Sequence, residues 1–214
     1  MEAATLAQRR VLHRRGLRLE YFTISWNVIE ALVAITAGVI AGSVALVGFG
    51  VDSGIEVISA VGLTWRLLKA GPEADAAEES AAERRALFIV ALTFFVLAAY
   101  IAYESITALA AHEEPERSSV GLVLSIVSLL VMPALAYSKQ RTGRQLGSRA
   151  LEADAIETWV CSYLSLALLA GVGLHAALGW WWADAVGALL MLPVILWQGL
   201  ETFQEAREEG DTDN

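Results

Sequence analysis

Acidic side chains recur at one-turn helical spacing inside long apolar segments of this sequence. Asp52 and Glu56 are four residues apart, and Glu157 and Cys161 are also four apart. Residues at this spacing lie on one face of an α-helix. Carboxylate oxygens together with a thiolate, in four-coordinate geometry, suit Zn²⁺ or a similar first-row ion better than Ca²⁺ or Mg²⁺. We therefore predict that these four side chains form one metal site.

The negative charge of these acids needs an offset, because an ionised carboxylate without a partner is costly in a dry interior. The pattern places no Lys or Arg at the same depth, so protons, water or a metal cation must supply the offset. The structural alternative is a set of protonated acids that only join helices by hydrogen bonds. Asn27 and Glu30 lie in the first apolar segment and have three possible roles. They could support the metal ligands, form part of a proton route, or simply join helices by hydrogen bonds.

The fourth ligand position is open between two residues. Cys161 is either a ligand or a small packing residue, which is the usual role of a lone cysteine in an apolar segment. Asp154 lies three residues before Glu157 and is the rival ligand. The alternative for Asp154 is a bond to Ser148 or Arg149 near the end of its segment.

The elements that must position these residues are membrane-spanning helices. The chain has 214 residues, of which 56% are hydrophobic and 18% charged, which is too apolar for an ordinary soluble domain. Six apolar blocks have about the length that crosses ~30 Å of hydrocarbon as a helix. They are residues 19–42, 44–68, 86–111, 120–137, 151–175 and 180–200. We predict an all-α polytopic membrane protein with a six-helix transmembrane domain (19–200), a basic cytoplasmic segment (1–18) and an acidic cytoplasmic tail (201–214).

The charges of the connecting segments predict the orientation. With the amino terminus in the cytoplasm, fourteen of the fifteen Lys and Arg residues fall on the cytoplasmic side, and only Arg117 falls outside. This is the bias of positive charge toward the inside, so we predict that both termini are cytoplasmic. Glu104 and Asp184 lie close to the outer boundary, where we expect water to solvate them. With a net charge of −9, we expect no nucleic-acid partner.

Four stretches of the sequence resemble transmembrane helices of the cation diffusion facilitator family. They are GSVAL at 42–46, DSGIE at 52–56, ADAIE at 153–157 with Cys161 after it, and WAD at 182–184. The resemblance covers about residues 27–198. It implies a transporter that binds metal through two acids on the second helix and, commonly, a His and an Asp four apart on the fifth. It also implies exchange of the metal for protons, and a homodimer.

The sequence departs from the family pattern at three of the predicted ligands. Glu56 stands for the second aspartate, Glu157 for the histidine and Cys161 for the aspartate of the fifth helix. We also expect this chain to lack the carboxy-terminal cytoplasmic domain of many members. A zinc-transporting vertebrate branch shares that lack and has a glutamate in its fifth helix. Resemblance to this branch favours Zn²⁺ as the transported ion, with Cd²⁺, Co²⁺, Fe²⁺ and Mn²⁺ as alternatives.

These features predict a divalent transition-metal transporter of a bacterial inner membrane, exporting zinc by proton-coupled antiport with alternating access. The alternative is a non-transporting membrane scaffold or sensor, in which bound metal stabilises the helix bundle without turnover. The expected partners are the metal ion, protons, the lipid bilayer and a second copy of the chain. We expect no enzyme activity and no cofactor, because the apolar segments contain no Ser/His pair or HExxH arrangement.

Overall fold

Six α-helices make up the part of the chain that the computed structural model describes, residues 2–70 and 81–212. They are α1 (Glu2–Ala41), α2 (Val44–Ala70), α3 (Ala81–Ala111), α4 (Ser119–Leu146), α5 (Arg149–Leu178) and α6 (Ala183–Thr212). Each contains a stretch that is long and apolar enough to cross a membrane. No strand occurs among the described residues, and the predicted all-α fold with six membrane helices is confirmed.

Several helices extend beyond the predicted apolar blocks. Helix α1 already begins at Glu2, and α6 continues to Thr212, so the two predicted flanking segments are helical where they are described. Met1 and residues 213–214 lie outside the described residues. The division into two flanking segments and a transmembrane domain, and the cytoplasmic position of both termini, stay predictions. Helix α4 passes the predicted end at Tyr137 and reaches Leu146, which changes the surroundings of the site.

Local sequence signals explain where α4 and α5 begin and end. The hydroxyl of Ser118 accepts a hydrogen bond from the backbone N–H of Gly121 at 3.0 Å, and Ser148 caps α5 in the same way. Such caps satisfy backbone donors that have no partner within the helix. Gly147 and Gly179 follow the two helices with φ of 72° and 68°, a left-handed conformation that glycine adopts without steric cost.

The helices pack as a ring of four with a pair beside it. Helix α1 contacts α2 and α4, and α5 contacts the same two helices, so α1, α2, α5 and α4 surround one interior. Helix α3 packs along α6, and this pair contacts α2 and α5. Glycines allow the closest approach: a Cβ atom at Gly187 of α6 would lie 2.8 Å from Cα of Gly171 in α5. We call the two ends of the bundle the Gly42 end and the Gly147 end, after their connecting glycines.

Candidate functional site

Side chains of α2 and α5 meet where these two helices contact each other, beside a cavity that Phe94 of α3 and Gln198 of α6 also line. The sulfur of Cys161 lies 2.7 Å from Oε2 of Glu56 and 3.7 Å from Oδ2 of Asp52, and all three side chains are buried. Asp52 and Glu56 follow the start of α2 at Val44 by two and three helical turns, roughly 12 and 18 Å along the axis. That depth is near the middle of a ~30 Å hydrocarbon layer. Three of the four predicted ligands are thus in mutual contact range.

Glu157 lines the same cavity but bonds to another partner. Its Oε2 accepts a hydrogen bond from Oγ of Ser59 at 2.9 Å. The cavity is small, with a volume of about 10 Å³, which is room for about one water or one bare ion. Its lining residues are Asp52, Ile55, Glu56, Ser59, Phe94, Glu157, Cys161 and Gln198.

The four predicted ligands share this cavity without forming a closed cage. Within the described ranges, no three His, Cys, Asp or Glu side chains stand in an arrangement that could hold a metal ion. Ser59 holds one oxygen of Glu157, and the carboxyl group would have to leave that bond to join the other three ligands. The four predicted ligands therefore line one cavity, and one of them, Glu157, bonds to Ser59.

Glu30 is fixed by donors from three helices. Ser53 of α2 donates to its Oε2 at 3.0 Å, and Trp26 of its own helix donates to Oε1 at 3.2 Å. Ser128 of α4 also donates to Oε1. The Glu30 side chain is fully buried, so these donors satisfy a carboxyl group that water does not reach. Glu30 thereby joins α1 to α2 and α4 next to the ligands of α2.

Asn27 lies almost one turn before Glu30 and is also fully buried. Its side chain faces Glu56, yet neither amide atom makes a hydrogen bond of ordinary geometry among the described residues. Support of the Glu56 carboxyl group and plain helix contact therefore both stay open for Asn27.

Asp154 pairs with a buried lysine instead of joining the cavity. Nζ of Lys139 lies 2.5 Å from Oδ2 of Asp154 and 3.5 Å from Oε1 of Glu20, and all three side chains are buried. The alternative bond of Asp154 to Ser148 is not formed, since neither carboxylate oxygen of Asp154 has a hydrogen-bond partner among the described residues. The side chain of Arg149, the other alternative, lies outside what the structure describes.

The prediction that no Lys or Arg accompanies the buried acids is wrong. The error arose because the fourth predicted block ended at Tyr137. Helix α4 continues beyond this residue, and the side chain of Lys139 is buried in the bundle. A signal was present in the sequence: Met132, Leu135 and Lys139 lie at helical spacing on the buried face of α4. Glu20 was missed for the same reason, because it lies at the predicted boundary of the first block.

Thr158 connects this buried ion pair to the cavity. Nζ of Lys139 donates to Oγ1 of Thr158 at 3.3 Å, and the same hydroxyl lies 3.3 Å from Oε1 of Glu56. The backbone carbonyl of Asp154, one turn earlier in α5, lies 3.0 Å from it. Sequence reasoning missed Thr158, since a lone threonine in an apolar helix gives no distinctive signal.

Asp184 is buried, and the expectation that water solvates it is wrong. Its carboxylate accepts a hydrogen bond from the Ser43 hydroxyl at 2.5 Å and lies 3.4 Å from the backbone nitrogen of Ala45. The residue thus ties the start of α6 to the first turn of α2, where a carboxylate also compensates the positive helix end. Glu104 of α3 is half-buried.

Comparison with known proteins gives one family. Residues 21–209 match the cation efflux transmembrane domain. The chain is 28% identical to an uncharacterized transporter of Synechocystis over 169 residues, which is 78% of this chain and 54% of that protein. It is 26% identical to Transmembrane protein 163 of Xenopus laevis over 194 residues, 90% of this chain and 67% of that protein.

A shorter match joins it to the cation-efflux pump FieF of Shewanella oneidensis, with 32% identity over 76 residues, 36% of this chain and 25% of that protein. The chain spans about half the length of the Synechocystis relative.

Proposed function

The chain belongs to the cation efflux family, and from this premise we propose that it exports a divalent transition metal, zinc, from the cytoplasm in exchange for protons. One observation carries the proposal: carboxyl groups of Asp52 and Glu56 and the thiol of Cys161 meet around one small cavity. When deprotonated, these three groups are anionic, and a cation is the partner that their burial demands.

The donor set favours zinc among the abundant divalent ions. Two carboxylates, a thiolate and a further carboxylate from Glu157 give four ligands with one soft atom, which suits a tetrahedral borderline ion. Ca²⁺ takes six to eight oxygen ligands, and a cavity with room for about one water cannot supply them. Cd²⁺ and Co²⁺ are the nearest competitors, because they also accept sulfur.

In the proposed cycle, Glu157 is the ligand that closes the site. Ser59, its present partner, lies almost one turn beyond Glu56 toward the Gly147 end, which the loop charges predict to be cytoplasmic. A metal ion arriving from that end would meet Glu157 before it reaches the deeper ligands. Transfer of Glu157 from Ser59 to the ion would complete the cage, and rearrangement of the helices would then expose it to the other side.

Proton exchange follows from the chemistry of the ligands. Carboxylate and thiolate must be deprotonated to bind metal, so metal binding releases protons and protonation releases metal. We also propose that the chain works as a homodimer in a bacterial inner membrane, and that the two copies associate through transmembrane helices. The proposed cycle uses only the metal ion and protons, and it requires no cofactor.

Flux through sealed vesicles tests the proposal. Vesicles that contain the purified protein and enclose a zinc-sensitive dye should accumulate zinc when their interior is more acidic than the medium, because protons then leave as zinc enters. Asp52→Ala and Glu157→Ala should abolish the dye signal. Glu104→Ala, on α3 away from the cavity, is the matched control and should keep wild-type flux. A metal-binding scaffold or sensor would bind zinc in the same preparation without any flux, which would refute transport.

A further inference from the structure

A buried lysine side chain, Lys139, places a positive charge beside the cavity. The Lys139 ammonium of α4 is enclosed by Asp154 of α5 at 2.5 Å, Glu20 of α1 at 3.5 Å and Thr158 of α5 at 3.3 Å. An ammonium group has three N–H donors and no acceptor. Asp154 and Glu20 contact the ammonium as ion-pair partners, and Thr158 accepts the one hydrogen bond of ordinary geometry that it makes among the described residues.

This use of Thr158 restricts where its own hydrogen can go. A threonine hydroxyl has one hydrogen to donate, and the oxygen is already approached by Lys139. The acceptors within reach are Oε1 of Glu56 at 3.3 Å and the backbone carbonyl of Asp154 at 3.0 Å. When the hydrogen points to Glu56, both oxygens of that carboxyl group have separate partners, since Oε2 faces Cys161 at 2.7 Å.

We propose that Lys139 is a positioning residue for the metal site, acting through the Thr158 hydroxyl to fix the orientation of the Glu56 carboxylate. Held in this way, Glu56 offers Oε2 to the cavity and keeps Oε1 away from it. A carboxylate that binds through one oxygen suits a small four-coordinate ion, whereas larger ions with more ligands favour two-oxygen binding. The inference rests on the proposed transport function and adds a determinant of ion selectivity to it.

The test uses a change at Thr158 that introduces no charge. Thr158→Val keeps the shape and removes the hydroxyl, and it should raise the KM for zinc flux about tenfold with kcat within about threefold of wild type. Thr158→Ser restores a hydroxyl and should return KM to within about threefold of wild type. The matched control is Thr142→Val: Thr142 is equally buried, but among the described residues its hydroxyl bonds only to the Ser138 carbonyl of its own helix.

A double substitution separates action through Thr158 from an independent effect of the lysine. Lys139→Met should raise the KM for zinc flux as Thr158→Val does. The double variant should raise this KM no further than the single variant with the larger effect, because both changes break one chain of contacts. If Lys139→Met does not fold, because it leaves two buried acids unpaired, the same substitution combined with Asp154→Asn and Glu20→Gln removes the three charges together and takes its place in the comparison. Calcium competition adds a second readout: discrimination between zinc and calcium should narrow in Thr158→Val.

The outcomes distinguish this inference from the function on which it rests. Wild-type vesicles without metal flux would overturn both. Normal wild-type flux together with an unchanged zinc KM in Thr158→Val, or an equal loss in Thr158→Ser and Thr158→Val, would overturn the role of Thr158 and leave the transport proposal intact. If the factors by which the two single substitutions raise the KM for zinc multiply in the double variant, Lys139 does not act through Thr158, and the inference is overturned.

Discussion

The sulfur of Cys161 lies 2.7 Å from Oε2 of Glu56, so two proposed ligands from α5 and α2 touch each other directly. In a tetrahedral zinc site, with Zn–S near 2.3 Å and Zn–O near 2.0 Å, ligand atoms stand roughly 3.5 Å apart. An ion that binds both groups must therefore separate them. Rotation of either side chain, or a shift of α2 relative to α5, would provide this separation.

Cys161 should set the preference for soft ions. We predict that Cys161→Ser raises the KM for Cd²⁺ flux about tenfold or more and changes that for Co²⁺ much less, because serine replaces a soft sulfur by a hard oxygen. Flux of the two ions, measured in the same vesicles, gives the ratio. A packing role of Cys161 predicts equal changes for both ions, and that result would remove the thiol from the ligand set.

Asp52 and Glu56 should lower stability while they support transport. Asp52→Asn and Glu56→Gln are each expected to reduce zinc flux about 100-fold or more, since loss even of indirect support for a metal ligand costs 10–100-fold. The same variants should melt at a higher temperature than wild type without metal, because an amide needs no charge partner in a buried position. Tryptophan fluorescence during heating measures the melting, and a lower melting temperature in both would contradict the prediction.

The sequence allowed the six helices to be predicted, because hydrophobic length is a local property. One-turn spacing placed each pair of residues on one face of its helix, but the meeting of the two faces was a hypothesis that local spacing alone does not provide. It did not allow the partners of Asp154 to be predicted. The positive-inside pattern predicts that Lys139 lies in a cytoplasmic segment. Only the packing of α4 against α1 and α5 reveals that its side chain is buried within the helix bundle. The bond of Asp184 to Ser43 was missed for the same reason, since it joins residues 141 positions apart.

Glu157 should be needed for transport, and Ser59 should only modulate it. We predict that Glu157→Gln abolishes zinc flux, whereas Ser59→Ala changes KM by about threefold or less, toward tighter binding, because Glu157 no longer has to leave a hydrogen bond. Initial flux rates over a range of zinc concentrations provide KM. Weaker binding by about tenfold in Ser59→Ala would instead indicate that the serine holds Glu157 in its working position.

Asp184 should contribute to stability more than to transport. Asp184→Ala leaves the Ser43 hydroxyl and the first turn of α2 without their acceptor, and we expect a loss of about 1–3 kcal/mol in the free energy of unfolding. Asp184→Asn keeps one acceptor oxygen and should lose less. Denaturant unfolding in detergent measures both, and the zinc KM should stay within about twofold of wild type. Equal stability of Asp184→Ala and wild type would be inconsistent with this role.

The tightness of the cavity has a consequence for the hydration shell of any ion that enters it. With room for about one water molecule, the chamber admits an ion only after nearly all of its own water has been stripped away. Mg²⁺ loses its water reluctantly and requires six oxygen ligands, so we expect that it does not enter the cavity although the bare ion is small. Zinc can exchange its water for four side chains, so we expect rejection of abundant magnesium to be decided by the cost of dehydration at the cavity.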